Sequence, residues 1–132
     1  MGILTDEMQR FIEATGHAFV ASSDATGYPH LAAGRDLHVR DDSHLIFEAW
    51  FCHTTMENVT ANPKVAVAVT APAADRGYQF GGVVESAADT AIMDGFTGEE
   101  EDSAIPQVQY RLIIRVEKVM EFTSGMHSDQ PS

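Results

Sequence analysis

The stretch from His44 to Thr70 reads HLIFEAWFCHTTMENVTANPKVAVAVT, and it decides the fold of the chain. It opens on a run of aromatic and β-branched residues that is typical of a buried strand. A polar turn at residues 53–55 follows, and then a short helical segment from Met56 to Ala61 that Asn62-Pro63 ends. Val65 to Val69 is the next strand. This order places hydroxyls and free backbone N–H groups at a helix N-terminus, so the turn is predicted to hold a phosphate.

Length and charge exclude several classes of protein. The 132 residues predict one domain, residues 1–122, with a disordered tail at residues 123–132. No apolar run approaches the roughly 18–20 residues of a membrane span, and no signal peptide is expected at the N-terminus. The net charge of −12, from 20 acidic and 8 basic residues, argues against nucleic acid as a partner.

Cysteine and histidine usage points to location and to the absence of a metal. The single cysteine, Cys52, excludes an internal disulfide and fits a reducing compartment, so we expect a cytoplasmic protein. The 6 histidines are scattered without HxxxH or Cys-His spacing, so no metal site is predicted.

The rest of the chain predicts a mainly β fold. Thr5 to Ala14 is predicted to be an amphipathic helix capped by Thr5 and ended by Gly16. Ala88 to Ser103 is ambiguous, with a second short helical insertion as one interpretation. In the last strand, Val116 and Lys118 are expected on one face, and Gly81-Gly82 suggests a bulge. The remaining predicted strands are His17–Ser23, Pro29–Val39, Gly77–Ala87 and Gln107–Phe122. Six strands joined mostly by tight turns predict an antiparallel barrel.

These residues resemble a known family. The run HLIFEAWFCHTTMENVTANPKVAVAV, followed by RGYQFGGVVE, is similar to the pyridoxamine 5′-phosphate oxidase-like, FMN-binding split-barrel family, and most to its small single-domain members. The resemblance extends from Phe19 to Val119. It implies a six-stranded Greek-key split barrel that forms a homodimer, with FMN bound at two sites between the subunits.

The resemblance also implies which residues bind the cofactor. The turn after the third strand would hold the phosphate, the backbone of the second and third strands would lie against the isoalloxazine ring, and the partner subunit would close the site through Tyr78-Gln79 and the last strand. The implied cofactor-binding residues are Ala32, Ala33, Gly34, Arg35, Glu48, Ala49, Trp50, His53, Thr54, Thr55 and Gln79. No residue stands out as a catalytic acid or base.

One departure from the family pattern concerns the phosphate. Many relatives carry Lys or Arg in the turn, where this chain has Thr54 and Thr55. The missing cation would weaken binding by ~1.5–3 kcal/mol, or roughly tenfold to hundredfold. The phosphate would then rely on hydroxyls, backbone N–H groups, the helix dipole, and His53 or Arg35.

Each of these residues also has a structural interpretation. The threonines can be plain helix caps, and Arg35 can pair with Asp36 or Glu48 instead of a ligand. The small residues of the second strand can serve strand packing, and Trp50 can lie in the core or a dimer interface.

Three functions stay open at this point. The first is an FMN-dependent oxidoreductase or electron-transfer homodimer. The second is a split barrel that binds another cofactor, either F420 or haem, for which His38, His44 or His53 could be the axial ligand. The third is a cofactor-free dimeric interaction module. The paired basic residues that hold a second phosphate in true pyridoxamine phosphate oxidases are absent, so that activity is not expected.

Overall fold

The part of the protein that the structure describes is a single curled antiparallel sheet with two helices. The computed structural model describes residues 2–15, 17–34, 36–50, 53–71, 75–89 and 109–123. The elements in chain order are α1 (Asp6–Thr15), β1 (Ala18–Ser23), β2 (Pro29–Gly34), β3 (Asp36–Asp41), β4 (His44–Trp50), α2 (His53–Ala61), β5 (Lys64–Ala71), β6 (Arg76–Asp89) and β7 (Gln109–Glu121). The strand order β2-β1-β5-β6-β7-β4-β3 confirms the predicted split-barrel class.

The described residues form seven strands, and the prediction of six was wrong at one place. The single strand expected from Pro29 to Val39 divides around position 35 into β2 and β3, which pair with β1 and β4 at opposite edges of the sheet. The small residues allow this division. A Cβ atom on Gly34 would lie 2.8 Å from the ring of Phe47 and 3.0 Å from the carbonyl oxygen of Glu48. The end of β2 therefore approaches β4, which curls the sheet towards a barrel.

The inner face of the curl holds the core. Alternate residues of each strand point inward, and α1 covers one side with the fully buried Ile12. The Thr5 hydroxyl accepts a hydrogen bond from the Met8 N–H at 3.2 Å, so the predicted cap is confirmed. The bulkiest fully buried side chains are Phe47, Phe80, Ile12, Leu37, Leu45, Leu112 and Ile114.

A bulge between β6 and β7 reverses the alternation of β7. Gly82 pairs with Val116 and Gly81 with Lys118, which confirms the predicted bulge. Beyond it Val119 packs against the core, while Lys118 extends from the opposite face beside Gly81. The expectation that Lys118 and Val116 share a face was therefore wrong, because the extra residue shifts the period by one.

The opposite surface of β2-β1-β5-β6-β7 is called here the outer sheet face. Directly paired residues of antiparallel strands lie on the same side. Two cross-strand rows form this face: Ala33, Phe19, Ala68, Gln79 and Met120, and beside it Leu31, Ala21, Ala66, Gly81 and Lys118. Phe19 is 37% exposed and Leu31 67% exposed.

Four features named in the sequence analysis fall partly or wholly beyond these residues. Of the ambiguous segment from Ala88 to Ser103, the first two residues continue β6, and the rest lies outside the described residues, as do Gly16, Cys52 and the tail from residue 124. None of the helices described is long and apolar enough to cross a bilayer.

Candidate functional site

Side-chain hydrogen bonds hold α2 against β1. The Asn58 amide donates to the Ser22 hydroxyl at 3.0 Å in a buried contact, and the Asn62 amide donates to the Ser23 hydroxyl at 3.1 Å. One contact lies in the second half of the helix and the other just after its end, so they fix its position while its first turn stays available. α2 begins at His53, three residues before the helical segment that the sequence predicts.

The first turn of α2 offers polar groups without an acidic neighbour. His53 and Thr54 are exposed, and the turn contains no carboxylate. Thr55 is 0% exposed, and its hydroxyl has no hydrogen-bond partner among the described residues. A buried hydroxyl without a partner costs about 1–3 kcal/mol, so its presence at a helix start points to a binding site. The helix dipole makes this end favourable for an anion.

Two residues of β7 that the sequence did not single out lie at this end of the sheet. The Tyr110 hydroxyl lies 2.7 Å from Nδ1 of His53, and the two rings meet edge to face. Next to it, Arg111 donates to the Glu48 carboxylate at 2.7 Å. Arg111 is thus a cation near the turn, but it is already paired. Separations of 57 and 63 residues along the chain explain why no motif marked these contacts.

The structure brings together part of the predicted ring-binding surface. The backbone at Gly34 approaches Glu48, because a Cβ atom on Gly34 would lie 3.0 Å from the Glu48 carbonyl oxygen. Ala32 packs towards the core, whereas Ala33 lies on the outer sheet face. Their side chains lie on opposite faces, so a ring could contact both residues only through their backbone. Three of the residues predicted to bind the cofactor lie outside the described residues, namely Arg35 as a whole and Ala49 and Trp50 in their side chains.

Gln79 does not join this site within one chain. It pairs with Met120, which is ten residues along β7 from Tyr110. Gln79 lines a separate hollow of about 250 Å³ on the outer sheet face, together with Val65, Ala66, Gly81, Lys118 and Met120.

The described residues contain no cluster of three His, Cys, Asp or Glu side chains able to hold a metal ion. His44 has both ring nitrogens occupied, at 2.8 Å from Asp41 and 3.0 Å from Glu85. The hydrogen bond with His44 is the main reason that the pKa of Asp41 is lowered, and the Ser43 N–H adds to it. His44 is thus engaged in the described structure and is a poor candidate for an axial haem ligand.

Comparison with known proteins agrees with this geometry. The sequence profile described as pyridoxamine 5′-phosphate oxidase matches residues 4–120. The chain belongs to this family. No curated protein matches the chain.

Solved structures share the fold of this family member. HupZ from Group A Streptococcus is 26% identical, with a TM-score of 0.66 over 93% of this chain and 97% of HupZ. An FMN-binding protein from Syntrophomonas wolfei subsp. wolfei is 14% identical, with a TM-score of 0.64 over 89% of this chain and 85% of its own. An F420 reductase is 20% identical, with a TM-score of 0.62 over 84% and 94%. At these last two identities the likeness shows the fold alone.

Proposed function

We propose that the protein binds FMN at the start of α2 and acts as a homodimeric flavin-dependent oxidoreductase or electron-transfer protein. The first turn of α2 carries this proposal, because it offers exposed His53 and Thr54 and no carboxylate. Membership of the family supports it. The turn also lies just after β4, whose Glu48 backbone is approached by Gly34.

The residues present fit a flavin phosphate. His53, the Thr54 hydroxyl and the N–H groups of the first turn would hold the phosphate, and the buried Thr55 hydroxyl would gain a partner through a small adjustment of the turn. The isoalloxazine ring would lie along the backbone of β2 and β4. When bound, FMN supplies the redox chemistry itself, so the chain needs to bind, orient and shield it and requires no catalytic acid or base.

The outer sheet face is the proposed dimer interface. Its two rows contain small residues, exposed Phe19 and Leu31, and no carboxylate, in a chain with 20 acidic residues. Apart from Gln79 and Lys118 the rows are apolar, and an exposed apolar patch of this kind marks an interaction site. A second copy fits it, because two such faces meet without repulsion between carboxylates. Gln79 of this face would then complete a cofactor site between the subunits. The cytoplasmic location stays a prediction.

A titration with two matched ligands tests the proposal. Flavin fluorescence is followed while protein is added to FMN or to riboflavin, which lacks the phosphate. We expect FMN to bind at micromolar concentration and riboflavin roughly tenfold or more weakly. Light scattering should give twice the 14.4 kDa chain mass.

Three results would contradict it. Equal affinities for FMN and riboflavin would exclude the phosphate site. If protein on the order of tens of micromolar does not quench flavin fluorescence, flavin binding would be excluded. A Soret band in the purified protein would favour the haem alternative.

A further inference from the structure

The contact between His53 and Tyr110 joins the first residue of α2 to β7. The hydroxyl oxygen and Nδ1 are 2.7 Å apart, and the ring centroids are 5.3 Å apart at an interplanar angle of 78°. This is a short hydrogen bond with a defined ring orientation. His53 forms no other hydrogen bond within the described part of the chain, so Nε2 is the nitrogen left for a ligand.

The chemistry of the two groups decides where the proton lies. A neutral imidazole carries one N–H, and the hydrogen bond at one nitrogen determines which. A phenol is a better donor than acceptor, so the Tyr110 hydroxyl donates to Nδ1 and the ring proton is placed on Nε2. If the ring is protonated, Nδ1–H donates to the phenol oxygen and Nε2–H stays in place. In both states the unbonded side of the ring presents an N–H donor.

We infer that Tyr110 is a positioning residue, which holds His53 with its Nε2–H directed to the phosphate so that the imidazole replaces the cation missing from the turn. This inference rests on the proposed function. It explains how a first turn without Lys or Arg can select a phosphate ester. It also assigns to β7 of the same chain a part in the site, whereas the resemblance implied only the last strand of the partner subunit.

The same arrangement makes phosphate binding depend on pH. A phosphate dianion beside the ring favours the imidazolium, so FMN affinity rises as His53 gains a proton. Glu57 lies one turn further along α2 and favours the same charge, while the helix N-terminus opposes it. From β4 and β7 the charged groups are Glu48 and Arg111, which neutralise each other at 2.7 Å. Riboflavin has no phosphate, and its affinity should not follow this titration.

The test measures FMN and riboflavin affinities between about pH 6.5 and about pH 8.5, above the second pKa of a phosphate ester at about 6. Wild-type protein should bind FMN more tightly at the lower pH, with riboflavin unchanged. Tyr110→Phe should weaken FMN binding by about threefold to tenfold, the value of one hydrogen bond, and leave riboflavin unchanged. Tyr28→Phe is the matched control, because it removes the hydroxyl of a tyrosine that is 74% exposed in the turn between β1 and β2, and it should change neither affinity.

His53→Gln separates positioning from general damage. Its amide keeps an N–H donor and cannot become charged, so FMN binding should persist in part and lose its pH dependence. Adding Tyr110→Phe to His53→Gln should have almost no further effect, because the two residues act through one contact. ¹⁵N NMR of the ligand-free protein gives a readout independent of flavin: His53 should be the Nε2–H tautomer alone in wild type, and in Tyr110→Phe the Nδ1–H tautomer should become detectable beside it.

The possible failures are distinguishable. If wild type prefers FMN while Tyr110→Phe and His53→Gln match it at every pH, the inference is wrong and the proposed function stands. A wild-type His53 found as the Nδ1–H tautomer also overturns the inference. If wild type binds FMN and riboflavin equally, both the phosphate site and this inference fall.

Discussion

The two faces of the central strands differ although the same strands form both. On the inner face, Val20, Val67 and Phe80 form a cross-strand row that is fully buried. One residue along each strand, Phe19, Ala68 and Gln79 form the neighbouring row of the outer sheet face. The side chains of the inner row are bulky and fully buried, and those of the outer row are partly exposed. We infer that one face supplies the stability and that the other is shaped for a second copy.

The largest expected effect is on the inner face. Phe80→Ala should lower the free energy of unfolding by about 3–5 kcal/mol, because it empties a fully buried site between β5 and β7. Gln79→Ala, one residue away on the outer sheet face, should change it by less than about 0.5 kcal/mol. Urea unfolding followed by circular dichroism at one protein concentration measures both, since dimerisation would add a concentration-dependent term. Similar losses for both variants would show that the two faces do not differ in this way.

The next effect concerns the outer sheet face. Ala68→Arg places a long cation in the middle of an uncharged row of the outer sheet face, and we expect the dimer to weaken at least about hundredfold, or about 2.7 kcal/mol, while the monomer stays folded. Light scattering across a dilution series measures the dissociation. The control is Thr60→Arg, an exposed position on α2, which should leave the dimer intact. An unchanged dimer in Ala68→Arg would place the interface elsewhere.

The sequence predicts the parts of the molecule that local patterns specify. The capping Thr5, the helix near Met56, the bulge at Gly81-Gly82 and the strands themselves follow from side-chain chemistry over a few residues. The division of Pro29–Val39 into β2 and β3 does not follow, because it depends on the approach of Gly34 to β4. The family resemblance gave the correct class in spite of that error.

The site shows the same limit. The first turn of α2 could be located because its donors are consecutive in the chain. Tyr110 could not, since a contact across 57 residues leaves no spacing to recognise. Thr54 and Thr55 look equivalent in sequence, but the helix turns one hydroxyl outward and buries the other. Only the packing of α2 on β1 separates their roles.

A smaller effect is expected at the exposed threonine. Thr54→Lys should tighten FMN binding roughly tenfold, since a charge-assisted hydrogen bond contributes about 1.5–3 kcal/mol and the exposed site reduces that gain. Riboflavin affinity and the unfolding free energy should not change, which would separate binding from stability at this position. Thr60→Lys, at the other end of α2, is the matched control for charge. Weaker or unchanged FMN binding in Thr54→Lys would mean that the phosphate lies elsewhere.

The smallest effect is expected at the turn between β1 and β2, which belongs to neither face. One carboxylate oxygen of Asp24 accepts hydrogen bonds from the Thr26 hydroxyl at 2.7 Å and from the Thr26 and Tyr28 N–H groups at 2.9 Å. The Thr26 hydroxyl is the largest cause and the Tyr28 N–H the next, and together they lower the pKa of Asp24 below 3.8. A lowered pKa in the folded state means that this stabilisation is present above the unfolded pKa and is lost as the pH falls through the folded one.

Asp24→Asn should therefore be slightly less stable than wild type at neutral pH. The difference should shrink as the pH falls below the unfolded value of 3.8 and vanish below the lowered pKa of the folded state. The carboxylate is fully exposed, so we expect a change well below that of Phe80→Ala. Unfolding curves of both proteins from neutral pH into acid measure the difference, and NMR of the Asp24 carboxyl gives its pKa directly. A constant difference at every pH would mean that the turn depends on the shape of the side chain and not on its charge. A difference as large as that of Phe80→Ala would show that the turn between β1 and β2 contributes as much stability as the inner face of the sheet.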